Sequence, residues 1–66
     1  MSSIGTEIVK EQARVRELKS RYDSIGPAGT FGATMIELAL RRADEAISSG
    51  DVVKILQSYK ELKNLE

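Results

Sequence analysis

Ile25-Gly26-Pro27-Ala28-Gly29-Thr30-Phe31-Gly32 cuts the chain in two, because it gathers the only proline together with the glycines at 26, 29 and 32. Proline removes a helical donor and glycine favours turns, so no helix is expected to run through this stretch. Upstream, from Thr6 to Tyr22, there is neither Gly nor Pro, and the residues are nearly all good helix formers. Helix 1 is therefore predicted over about residues 6–23, with the turn at 24–33. Downstream, Thr34-Met35-Ile36-Glu37 has the Thr-x-x-Glu arrangement of a helix start, in which hydroxyl and carboxylate each satisfy a free backbone N–H. Helix 2 is predicted over about 34–49, with Thr30 as the competing start. Ser48-Ser49-Gly50-Asp51 then supplies a left-handed cap at Gly50 and an N-cap at Asp51, so helix 3 is predicted over about 51–65.

Each segment is amphipathic. In helix 1 the apolar residues Ile4, Ile8, Val15, Leu18, Tyr22 and Ile25 follow a heptad-like spacing, with Glu11 interrupting it. In helix 2 a stripe of Met35, Ile36, Ala39, Ala43, Ala46 and Ile47 is rich in alanine, which lets helices approach closely. Helix 3 places Val52, Ile55, Leu56, Tyr59, Leu62 and Leu65 at steps of three and four. The expected fold is all-α: a small up-down bundle of three helices, or a two-helix hairpin if helices 2 and 3 are continuous. No internal repeat is visible.

At 66 residues the chain makes one domain, and domains of this size bury only about 60% of the surface of the unfolded chain. Such cores are usually supplemented by disulfides, a metal, self-association or very regular packing. The sequence has no Cys and no His, which removes the first two and leaves oligomerisation, a dimer being favoured, or idealised packing. The same absences exclude thiol chemistry, a histidine base and zinc sites of the usual kind. No catalytic residue, cofactor or metal is expected, and the chain is read as non-enzymatic. Ten basic and ten acidic residues cancel, so no overall field concentrates a polyanion around it. The amino-terminal Met1 to Glu7 lacks the pattern of a secretion signal, and no apolar run is long enough to span a bilayer. A cytoplasmic, membrane-free protein is expected.

What remains is binding. The leading expectation is a protein–protein interaction module, a small accessory, adaptor or inhibitor protein that presents a helical face to a larger assembly. The analogy is with stand-alone helical proteins such as those of bacteriophages, and it rests on size and style. Interface candidates are Ile8, Val15, Leu18, Tyr22, Phe31 and Tyr59, chosen as apolar-stripe or loop residues, with the two tyrosines able to bury a ring and keep the hydroxyl wet. Phe31 has two readings with opposite exposure: folded back to close the end of the core, the stronger on the burial tendency of Phe, or exposed as an anchor. The alternative function is a weak nucleic-acid-binding accessory protein using Arg14, Arg16, Lys19 and Arg21 of helix 1, among which acidic residues are interleaved. The glycines of the turn lack phosphate-loop spacing, and Arg41 and Arg42 are explained by an ion-pair ladder with Glu37 and Glu45.

Overall fold

A computed structural model describes residues 3–66; Met1 and Ser2, part of the amino-terminal segment read above, lie outside the described residues. Among these there are three α-helices and no strand: α1 (Ile4–Ser24), α2 (Thr30–Ser49) and α3 (Val52–Lys63), with a 3-10 turn over Gly26–Gly29. The fold is an all-α three-helix bundle in which every helix packs on the other two. Helices α2 and α3 are separate, so the continuous-rod alternative is excluded.

The starts and stops follow from local chemistry. α1 begins before Thr6 because Ser3 serves as N-cap, its Oγ accepting from the Thr6 N–H at 3.3 Å. It ends where Gly26 takes a φ of +83°, a left-handed angle that reverses the chain at little cost only without a Cβ. Pro27 then opens the 3-10 turn, where its missing N–H is no loss. That turn runs directly into α2, so the helix starts at Thr30 and not at Thr34. The Thr34–Glu37 box is not used, because Thr30 already has helical backbone angles and its N–H reaches the Pro27 carbonyl. At the other end Gly50 takes φ +69°, and the Asp51 carboxylate accepts from the N–H groups of Val53, at 2.9 Å, and Lys54, at 3.4 Å. This cap pair makes the tight α2–α3 corner.

The core joins Ile8 and Val15 of α1, Ile36, Ala39, Leu40 and Ala43 of α2, and Leu62 of α3, with Leu18, Tyr22, Ile55, Tyr59 and Leu65 packed against it. Alanines dominate the inner face of α2, which lets both neighbours approach its backbone. Two long-range bonds, Arg14 to the Leu62 carbonyl at 2.9 Å and the Tyr22 hydroxyl to the Glu66 carbonyl at 2.8 Å, fix α1 and α3 side by side in the same direction.

Several inward and outward assignments differ from the periodic reading. Met35 and Ile47 lie on the flanks of α2, and Leu40 takes an inward place. On α3, Val52 and Leu56 face water and Ser58 faces in, because α3 lies in the groove between α1 and α2 and its buried arc centres on Leu62. In α1 the gap in the heptad is filled by Gln12, buried and donating to Asp44 Oδ1 of α2 at 2.8 Å, while Glu11 turns aside to pair with Arg14.

Candidate functional site

The charged residues are unevenly distributed. From Ser24 to Ile36 there is no Asp, Glu, Lys or Arg, in a chain that is 30% charged. This stretch, the last residue of α1, the 3-10 turn and the first turns of α2, lies at one end of the bundle, together with the carboxy-terminal end of α3. It is closed from inside by Tyr22. The Tyr22 ring lies on Gly32, where a Cβ would come within 2.8 Å of two ring carbons, and the Tyr22 carbonyl lies where a Cβ on Gly29 would stand at 1.9 Å. Both glycines are therefore required for close approach, which explains the glycine content of the turn without any phosphate.

Tyr22 takes the role that the stronger reading gave to Phe31. With α2 starting at Thr30, the inward positions of its first turns fall to Gly32, Ala33 and Ile36, and Phe31 points outward, 78% exposed. That overturns the folded-back reading of Phe31. Met35 is 44% exposed and Leu38 is 37% exposed. At 3.6 residues per turn Phe31, Met35 and Leu38 share one narrow line on the outer flank of α2. Ile25, also exposed, stands at the same end of the bundle. Water thus meets an apolar stripe on a helix whose own first turns carry no charged residue, and interface centres are depleted of charge in the same way. A second apolar area, Val52, Val53 and Leu56 at the start of α3, runs into Lys60 and Lys63 within two turns, and the Lys63 ammonium sits 5.5 Å from the Tyr59 ring centre.

Of the interface residues read from the sequence, Ile8 and Val15 are wholly inside the chain and have no surface left for a partner. Leu18, Tyr22 and Tyr59 are half-buried against the core, and Phe31 alone is prominent in solvent. Met35 and Leu38 are absent from that set; the signal for Met35 is the uncharged stretch in which it stands, and Leu38, beside Glu37, has no such signal.

The four basic residues of α1 are not brought onto one face. Arg14 and Arg21 project from one edge of the helix, Arg16 and Lys19 from the other, with the core-facing stripe between them. Arg14 is held by Glu11 at 2.7 Å and by the Leu62 carbonyl, and Lys19 by Asp23 at 3.1 Å. On α2, Arg41 is 3.8 Å from Glu37, whereas Arg42 reaches across to Glu61 of α3 with two bonds of 2.7 and 3.0 Å. The hydrogen bond to Glu61, and then its charge, raise the Arg42 guanidinium above its ordinary pKa, so it stays protonated at any working pH. This clamp borders an open groove of about 420 Å³ between α2 and α3, lined also by Glu45, Lys54 and Ser58.

No group of three or more His, Cys, Asp or Glu able to hold a metal occurs among the described residues, and no helix there is long and apolar enough to cross a membrane. The bundle and its exposed apolar line define the class, a small helical protein with a surface stripe. Comparison with known families, curated proteins and solved structures finds no match for the chain.

Proposed function

We propose that this chain is a non-enzymatic interaction module, a cytoplasmic accessory or adaptor protein that docks on a protein partner through the outer flank of α2. The observation that carries the reading is the exposed line of Phe31, Met35 and Leu38, the first two of which stand in a stretch of the chain without charged residues. Large apolar side chains held on a rigid helix contribute disproportionately to binding, because little conformational freedom is lost when they are covered. Self-association belongs to the same reading, since a chain of zero formal net charge has little electrostatic protection against it. Nucleic-acid binding by α1 draws no support from two separated, partly neutralised pairs of basic residues.

The test is affinity purification of the tagged chain from its native lysate, with and without nuclease, beside the variants Phe31→Glu and Leu38→Glu. A stoichiometric protein that survives nuclease and is lost with either variant, while helicity is unchanged, supports the module. Recovery of nucleic acid with salt-sensitive affinity, unaffected by Phe31→Glu, overturns it and promotes the basic residues of α1.

A further inference from the structure

The geometry points to the groove between α2 and α3 as a binding site for a small zwitterion of dipeptide size, an ammonium and a carboxylate joined by a short chain. The groove, of about 420 Å³, lies along the second half of α2, beyond the line of Phe31, Met35 and Leu38 and independent of it. It is open because two small residues, Ala46 of α2 and Ser58 of α3, form its floor where the walls are long polar side chains.

Ser58 marks this groove as a place for a ligand. It is only 9% exposed, yet among the described residues its hydroxyl finds no hydrogen-bond partner. A serine in a helix commonly bonds back to a carbonyl one turn earlier, as Ser20, Ser24 and Ser49 do here. No side-chain polar atom sealed from solvent is left unsatisfied among the described residues, so the Ser58 hydroxyl opens into the groove that it lines. Donor and acceptor are both free on the floor of a concave site.

Charge selects the ligand. At one end of the groove Arg42 and Glu61 are spent on each other. Among the described residues Glu45 and Lys54, which line the same groove, enter no ion pair. The two helices run antiparallel across the corner at Gly50, so equal steps from the Arg42–Glu61 contact bring Glu45 level with Ser58. Lys54 then stands one turn nearer the corner, about 6 Å along α3. A lone anion here would meet Glu45 and Glu61, and a lone cation would meet Arg42 and Lys54. A zwitterion with its ammonium toward Glu45 and its carboxylate toward Lys54 answers both free charges at once. Two extended residues span at most about 7 Å and a single one about half of that, so the spacing fits a dipeptide better than a free amino acid. The amide in the middle of such a chain falls beside the Ser58 hydroxyl and the Gln57 amide. Because the groove is open to water on one side, its charges are screened and binding is weak.

The test is titration of the isotope-labelled chain with glycylglycine at constant ionic strength, followed by NMR. Saturable shifts of the backbone amides of Ala46, Lys54 and Ser58 are expected, with a dissociation constant of about 1–10 mM. Glycine, and N-acetylglycinamide, which keeps the length and the amide but lacks both charges, are expected to bind about fivefold more weakly or worse. Glu45→Ala and Lys54→Ala remove exposed side chains and leave the fold intact, and each is expected to weaken glycylglycine by about fivefold. Ser58→Ala is expected to weaken it as well, and Leu38→Glu to leave it unchanged. No saturable shift up to roughly 100 mM, equal binding of glycine or of N-acetylglycinamide, or undiminished binding in the double variant Glu45→Ala with Lys54→Ala overturns the inference.

Discussion

Gln12 shows at the scale of one side chain how this core carries polarity. It is 4% exposed, and its amide bonds to Asp44, whose residue is exposed to water. When Gln12→Leu removes the amide, the carboxylate recovers its hydration, so the change is expected to alter stability by less than about 1 kcal/mol in either direction. Gln12→Ala removes the packed stem as well and is expected to cost about 1–3 kcal/mol. Urea unfolding of the two variants separates packing from hydrogen bonding, and equal losses would contradict this account. Gly29→Ala is a harsher case. Its Cβ would meet a backbone carbonyl, which cannot swing away as a side chain does, and a loss of about 2–4 kcal/mol in the same assay is expected. Neither residue was legible in the sequence. The heptad count stopped at Glu11 because a period of three and four cannot tell which of two adjacent polar residues turns inward when the helix has neighbours on both sides.

Among the elements, α2 and α3 owe their separation to two adjacent residues, and here the sequence was readable. Gly50 and Asp51 were identified as cap and N-cap from residue type alone, since the left-handed angle and the short acceptor are local requirements. Asp51→Ala leaves the N–H groups of Val53 and Lys54 without their acceptor and is expected to cost about 1 kcal/mol, read from the shift in the unfolding midpoint. The start of α2 was less legible. Thr34 and Glu37 have the right types at the right spacing, but a 3-10 turn had already brought the chain into helical geometry at Thr30. That four-residue difference turned Phe31 outward and so hid the stripe from a reading based on burial tendencies.

For the molecule as a whole, the bundle architecture was legible because three amphipathic segments and two turns leave few alternatives, whereas the outward-facing stripe was not, because periodicity reports only what is apolar and not which neighbour covers it. The fully buried large side chains are few, Ile8, Val15 and Leu62, and each comes from α1 or α3. Leu62→Ala is expected to cost about 2–5 kcal/mol, a large part of the stability of a domain this size, and to leave much of the chain unfolded at 37 °C by circular dichroism. A thermal midpoint that climbs with protein concentration in the parent chain, and stays level in Leu38→Glu, is the expected sign of mass action on the folded state. The left-handed glycine at the second corner has one more consequence. Were Gly50→Ala and Asp51→Ala to let α2 and α3 run on as a single rod, its length of about 50 Å would exceed the 38 Å long axis of the bundle. The last helix could then find its groove only on a neighbouring molecule, and the chain would trade segments with its own kind. One backbone angle thus keeps each molecule's third helix its own.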